Sequence, residues 1–393
     1  MRRVNVIGVG MTKFTTPKAQ IPFTTMGKEV VEDALKDAGI TYDKIEQAQV
    51  GWVYADSCAG QKVLYDVGMT GIPIFNVNNN CTTGSSALYL ARQAVESGVV
   101  ECALALGFEQ MAPGALGLTF TDRPIPMETF FVKLNEIRPL DAKAAPAAQL
   151  FGLAGEEYME KYGTKPETFA KVSIKARKHA EHNERAVFRN QLTLEEVMEA
   201  PHISGPLTRL QCCPPTCGAG AAILCSDDFA KKHNISAPIY MAAQSMITDY
   251  SSSFDAKKAG IIVGSEMTAA AAKEVYEKAG VGPEDLDVVE LHDCFTANEI
   301  LSYEALGLTP EGTAEKFIED GDNTYGGKIV TNPSGGLLAK GHPLGATGLA
   351  QCAEIVWQLR GEAGVRQVEG ARVGMQHNIG LGGAAVVAIY KKD

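Results

Sequence analysis

The chain has 393 residues, 45% of them hydrophobic and 7% aromatic, with 40 glycines and a net charge of −11. That length and composition suit a folded protein of two or three lobes and exclude disorder. The acidic balance contains no basic stripe, which excludes nucleic acid and anionic membrane surfaces as partners, and no apolar run is long enough to cross a bilayer.

Nine cysteines, at 58, 81, 102, 212, 213, 217, 225, 294 and 352, form no disulfide framework in a chain of this length, so a reducing compartment is expected. Met1-Arg2-Arg3 ahead of Val4 to Met11 imitates a signal peptide, but the apolar stretch is short, broken by glycine and without a cleavage site. It reads as a first strand. The closing residues Tyr390-Lys391-Lys392-Asp393 carry no peroxisomal tripeptide.

Taken in order, the pattern is written twice. Val4 to Ile7 opens one half, and Ile239 to Ala242 opens the other after a polar break at Lys231-Lys232-His233-Asn234. Met26 to Ala38 has amphipathic helix spacing closed by Gly39, and Ile45 to Tyr54 has strand character; their partners are Met267 to Ala279, closed by Gly280, and Leu286 to Phe295. Thr83-Gly84 and Thr347-Gly348 each open a helix. Strands follow at Cys102 to Leu106 and Arg372 to Met375, and the halves close on Gly220 to Leu224 and Gly383 to Val387. The expected fold class is α/β: two βαβαβαββ halves, each a mixed sheet covered by helices, packed face to face with glycine-rich strand ends converging near the pseudo-twofold axis.

The first half alone carries an insertion, Pro113 to Leu210, with helical patterns from Ala147 to Tyr162 and from Pro166 to His182. The expected organisation is residues 1–112 with 211–236 as the N-terminal half, 113–210 as an inserted loop domain over the substrate, and 237–393 as the C-terminal half.

Four stretches carry chemistry. An apolar run, Ile72 to Val77, leads into Asn78-Asn79-Asn80-Cys81-Thr82-Thr83-Gly84, which places Cys81 at a strand-to-helix elbow after asparagines suited to a sharp turn and a cap. Backbone N–H groups at a helix start favour a thiolate, hence a nucleophile; the alternative is a small residue buried in a turn. Glu290-Leu291-His292-Asp293-Cys294-Phe295 ends a strand, with His292 and Cys294 on one side if the strand persists. Lys340-Gly341-His342-Pro343-Leu344-Gly345 exposes an imidazole in a glycine-rich loop just before a helix, and lacks the Lys-Ser/Thr pair of a phosphate loop. Gln376-His377-Asn378-Ile379-Gly380 leads into a strand, so it is no dinucleotide fingerprint, but Gly380 can present a backbone N–H. Cys212-Cys213-Pro214-Pro215-Thr216-Cys217 has no partner at metal-ligand spacing, and no metal is expected.

Cys81 at a helix start, His292 with Cys294, the Gly341-His342-Pro343 loop and the closing glycine-rich strand resemble, in that order, the motifs of thiolases. The spellings His-Asp-Cys-Phe and His-Asn-Ile-Gly resemble the thiolase branch of sterol carrier protein x, and the likeness covers essentially the whole chain. Most thiolases have Asn-Glu where this chain has His292-Asp293, and Cys-x-Gly where it has Asn378-Ile379-Gly380. The resemblance implies Cys294 as the second catalytic thiol in this branch.

It further implies a degradative 3-oxoacyl-CoA thiolase. Cys81 would be the nucleophile, His342 its base, Cys294 the acid and base, and His292 and Gly380 donors to developing oxyanions. Coenzyme A would be a co-substrate, with no permanently bound cofactor, and the residues that hold it are not readable. A homodimer through the first-half sheet and a peroxisomal location are also implied. Two rivals remain: a ketoacyl-synthase-type condensing enzyme, which needs no second thiol, and an acyl-CoA or lipid-binding protein that has lost catalysis.

Overall fold

Val4–Met11 form β1, buried at every residue because it is central in a sheet covered on both faces. The structure, a computed structural model, describes residues 2–393 other than 115, 116, 118, 119, 142 and 143. Met1 of the signal-like start and six residues of the expected insertion therefore lie outside the described residues.

The first half continues with α1 (Phe23–Ala38), β2 (Gln47–Gly51), α2 (Ala59–Tyr65), β3 (Ile74–Val77), α3 (Thr83–Glu96) and β4 (Cys102–Glu109). Helices at Glu128–Ile137, Pro146–Tyr162, Pro166–Ala180 and Leu194–Met198, and a small hairpin of β5 (His202–Ser204) and β6 (Leu207–Thr208), precede β7 (Gly218–Ser226). The second half holds β8 (Ile239–Ile247), α4 (Ser265–Ala279), β9 (Val288–Glu290), α5 (Thr296–Ala305), β10 (Val330–Thr331), α6 (Thr347–Arg360), β11 (Val373–Gly380) and β12 (Ala384–Lys392).

Sheet order makes the duplication explicit. One half runs β3-β2-β4-β7-β1 and the other β10-β9-β11-β12-β8, the same order element for element. The two are joined into one ten-stranded sheet by a single antiparallel pair, Asn5 opposite Tyr240. The halves do face each other, but through a layer of helix. Leu88, Ala91 and Val95 of α3 and Leu349, Ile355 and Leu359 of α6 share a buried cluster with residues of β1, β4, β7, β8, β9 and β12. Helices α1 and α2 cover the outer face of the first sheet. Helices α4 and α5 cover the second, together with Phe130, Leu150, Phe151 and Phe169 from the segment between β4 and β7. That segment is anchored by Lys175, which forms a buried ion pair with Glu299 and hydrogen bonds to Tyr303 at 3.0 Å and Thr331 at 2.6 Å.

Two expected strands are shorter than their apolar runs. β2 spans only Gln47–Gly51, and β9 stops at Glu290. Beyond β9 the backbone finds side chains instead of a ladder: Leu291 N–H bonds Asn332 Oδ1 at 2.7 Å and His292 N–H meets His377 Nδ1 at 3.5 Å. His292 and Cys294 therefore occupy a loop, not a continued strand.

The two central helices start at the chemistry and touch near their first turns. A Cβ on Gly84 would lie 2.6 Å from the Gly345 carbonyl, and one on Gly348 would collide with the backbone and hydroxyl of Ser85. Gly348→Ala is expected to lower the urea midpoint, by about 1–3 kcal/mol of overpacking, although alanine favours helix. A raised midpoint would show that the contact has room to spare.

Candidate active site

The candidate residues lie at or just beyond the C-terminal ends of β3, β9 and β11 and in the loop before α6, where α/β sheets leave a crevice. Cys81 sits between the end of β3 at Val77 and the start of α3 at Thr83. Asn80 takes the left-handed conformation, φ 51°, which asparagine tolerates. The turn closes with Thr82 N–H to Asn79 O at 3.1 Å and Thr83 N–H to Asn80 O at 3.0 Å. The asparagines do not cap the helix. Thr82 is the N-cap residue, and its hydroxyl donates to Asn79 O at 2.7 Å. Asn79 instead ties its amide to Ser86 Oγ at 2.9 Å, and Asn80 Nδ2 reaches the Leu381 carbonyl at 2.9 Å, joining this turn to the strand end that bears Gly380.

His342 is held from three sides. Val187 N–H bonds Lys340 O at 3.1 Å, Phe188 N–H bonds Ala339 O at 3.0 Å, and Thr216 Oγ1 accepts His342 N–H at 3.2 Å. Its Nδ1 lies 2.7 Å from Thr347 Oγ1, which is 3.0 Å from the Pro343 carbonyl. With the hydroxyl proton on that carbonyl, Nδ1 is the donor to Thr347, and this assignment leaves the lone pair on Nε2. Nε2 is buried and has no hydrogen-bond partner among the described residues.

Between His292 and Cys294, the Asp293 carboxylate accepts Leu337 N–H at 2.7 Å and Leu338 N–H at 3.3 Å, which ties this loop to the one leading to His342. Burial, followed by the charge of Glu299, raises the Asp293 pKa. Asn378 Nδ2 is 2.7 Å from His292 Nδ1. Phe295, next in the chain, stacks on Phe151 with centroids 4.9 Å apart, so the inserted segment braces this wall.

Three predicted residues converge: the donor atoms of Cys81, His292 and His342 all lie within 4.8 Å of one another, and the two imidazoles meet edge to face at 5.0 Å. Cys294 is buried beside them, and its thiol feels Cys213, Cys81 and Asp293. A Cβ on Gly380 would press on the Asn79 carbonyl and would lie 3.1 Å from Thr82 N, so the backbone of that glycine lies against the Cys81 turn. Cys81, His292 and His342 are also of a type and spacing that could take Zn²⁺, which would occupy both thiol and base.

The resting site carries no charge on these groups. Burial, then the nearby Glu109 carboxylate, pushes the Cys81 thiol up to about 12, against the pull of the Cys81 and Leu381 N–H groups. The expected helix-start thiolate is thus overridden by desolvation. Burial drives His342 down to about 3 and, with His342 and His377 adding to it, His292 well below its ordinary value. Burial likewise lifts Cys294 far above a free thiol. The arrangement is a neutral thiol beside a neutral imidazole.

Sequence reading missed several members. Glu109, at the end of β4, accepts N–H groups from Val53, Tyr54 and Gly345 at 3.2, 2.8 and 3.0 Å, and burial raises it to about 7. An acidic residue closing an apolar strand was the signal available. Thr347, five residues after His342, and Cys213, whose N–H bonds the Cys294 carbonyl at 2.9 Å, were visible only as parts of motifs. Iodoacetamide labelling of Cys81, which is partly exposed, is expected in the free protein to keep rising beyond about pH 9, as a thiol of raised pKa requires. A plateau near neutrality would mean a preformed thiolate.

Residues 4–228 match the thiolase N-terminal domain family, and residues 252–392 match the thiolase C-terminal domain-like family. Sterol carrier protein 2 of Oryctolagus cuniculus is 55% identical over 394 residues, covering 99% of this chain and 72% of that protein. An acetyl-CoA acetyltransferase of Methanothermobacter thermautotrophicus is 37% identical over 398 residues, covering 100% of both. Among solved structures, an Ltp2-ChsH2(DUF35) aldolase superposes with a TM-score of 0.85 at 23% identity, covering 100% of this chain and 98% of that one. Human mitochondrial 3-ketoacyl-CoA thiolase in complex with CoA gives 0.74 at 19% identity, covering 100% and 98%. The structural likenesses concern the fold; the family matches and sequence identities establish that this chain belongs to the thiolase family of acyltransferases.

Proposed function

We propose that the chain is a degradative 3-oxoacyl-CoA thiolase that cleaves its substrate with coenzyme A through an acyl-enzyme on Cys81. The observations that carry this reading are that His342 has a ring nitrogen in a 4.8 Å cluster with the Cys81 sulfur and His292, and that its buried Nε2 has no hydrogen-bond partner among the described residues. Such a pair suits proton transfer from the thiol to the imidazole. Support also comes from a relative named acetyl-CoA acetyltransferase and from a solved thiolase of this fold bound to CoA.

The steps follow from the residues. His342 Nε2 takes the Cys81 proton as sulfur attacks the 3-keto carbon, and the C2–C3 bond breaks to leave an acyl-Cys81 and the enolate of the departing thioester. Cys294 gives its proton to C2, releasing acetyl-CoA or, from a 2-methyl substrate, propionyl-CoA. The Cys294 thiolate then takes the thiol proton of incoming CoA, whose sulfur displaces the acyl group from Cys81, and the His342 imidazolium returns its proton to the departing Cys81 thiolate. His342 and His292 are assigned as donors to the enolate oxygen, and the backbone N–H groups of Cys81 and Gly380 as donors to the tetrahedral oxyanions. Removing one such donor typically costs about 10²–10³ in rate.

The inserted segment, 113–210, is assigned to CoA and acyl-chain binding, and a peroxisomal location is carried over from the resemblance. The expected homodimer is assigned to the edge strand β3, a choice supported by the exposure of Phe75, 49%. Substrate consumption with acetoacetyl-CoA and a longer 3-oxoacyl-CoA tests the reading. Turnover that requires added CoA, vanishes in Cys81→Ala and falls about 10²-fold or more in Cys294→Ala is expected. Cleavage without CoA would favour an aldolase-type reaction, full activity in Cys294→Ala a synthase-type site, and tight acyl-CoA binding without turnover a binding protein. Light scattering on the same sample reads assembly: a mass near twice 41.9 kDa supports the dimer and a monomer overturns it.

A further inference from the structure

A directional chain of buried hydrogen bonds runs from β12 to the candidate site. It begins at Tyr390, whose hydroxyl lies 2.6 Å from Gln376 Oε1. Gln376 Nε2 lies 2.7 Å from the Gly348 carbonyl and 3.0 Å from Ser85 Oγ. A carbonyl only accepts, so this end of Gln376 is the amide nitrogen, and Ser85 accepts from it. Ser85 Oγ then donates its own proton to Asn378 Oδ1 at 2.7 Å. With Oδ1 so occupied, the other end of Asn378 is the donor, and it points at His292 Nδ1 at 2.7 Å.

The consequence falls on the imidazole. A neutral histidine that accepts at Nδ1 carries its proton on Nε2. Tyr390, Gln376, Ser85 and Asn378 are each fully buried and His292 is 1% exposed, so water does not compete for these directions. His342 is set the opposite way. One ring of the edge-to-face pair offers a lone pair at Nε2 and the other a proton.

We propose that Asn378 is a positioning residue, which, held by Ser85 and Gln376, fixes His292 as the Nε2–H tautomer so that it donates to the oxyanion formed when the C2–C3 bond breaks. The use of that proton rests on the thiolase reading above; the tautomer does not. Asn378 itself touches no reacting atom. It acts through His292, as a second-sphere carboxylate or amide orients a metal-bound or catalytic imidazole elsewhere.

Asn378→Asp is the decisive change. Its carboxylate still accepts from Ser85 but now offers an acceptor to Nδ1, which pulls the proton there and leaves a lone pair where a donor is needed. We expect kcat to fall about 10²–10³-fold with KM little changed, since the donor serves only the transition state. The loss should shrink as pH is lowered, because the new carboxylate favours the imidazolium, which regains Nε2–H. Asn378→Leu, which offers no acceptor, should lose activity without that acidic recovery. A loss in Asn378→Asp that is flat with pH would overturn the positioning role.

The readout independent of turnover is nitrogen-15 NMR of the seven histidines of the wild-type chain, with His292 assigned by comparison with His292→Asn. One-bond coupling to a proton at Nε2 supports the proposal, and a proton at Nδ1 overturns it whatever the variants do. A wild-type protein with the Nε2–H tautomer but no thiolysis would leave the hydrogen-bond chain standing and overturn the function assigned to it.

Discussion

The close approach of α3 to α6 is the constraint on which the rest depends. Each helix begins close to a candidate group, Cys81 two residues before α3 and His342 five residues before α6. Because Gly84 and Gly348 carry no side chain, the first turns come together and bring thiol and imidazole into one cluster. The duplicated sheets supply the frame. Each delivers its helix from the same strand order, so the two halves bring one candidate group each to the helix starts. The hydroxyl of Ser85, which Gly348 packs against, is also a link in the hydrogen-bond chain to His292, so one contact serves both spacing and orientation.

Burial of the two imidazoles and of Cys294 is the second property of the site, and it acts against resting charge. Burial holds both imidazoles neutral and the thiols protonated, so no group is activated by its own pKa before substrate arrives. On the proposed thiolase reading, activation depends on donors placed where negative charge will form, a task that fixed dipoles perform without reorganising. Asp293 shows how the surrounding structure supports this. It lies between His292 and Cys294 in sequence yet turns away to hold the backbone at Leu337 and Leu338, locking the two loops in register.

Much of this was legible from residues alone. The repeat, the α/β class and the positions of Cys81, His292, Cys294 and His342 at strand or helix ends follow from periodicity, glycine placement and motif spelling, because those signals are local. What was not legible depends on neighbours distant in sequence. The helix-start argument for a thiolate at Cys81 failed because desolvation, and after it the charge of Glu109 closing another strand, outweigh the N–H groups of the turn. The strand at Leu286 to Phe295 was overextended because its ladder partner ends and Asn332 takes over the next N–H. Asn378 stood out only as a departure from the wider thiolase spelling; its connection to Ser85 and His292 required the fold.

The central claim is that Cys81 becomes covalently acylated. Rapid mixing of the protein with a 3-oxoacyl-CoA in the absence of free CoA, acid quench and mass spectrometry of the peptides tests it directly. The account predicts an acyl adduct of the shortened chain on Cys81, discharged by adding CoA. An adduct on Cys294 or Cys213 instead, or thiolysis that proceeds with Cys81 never modified, would contradict it.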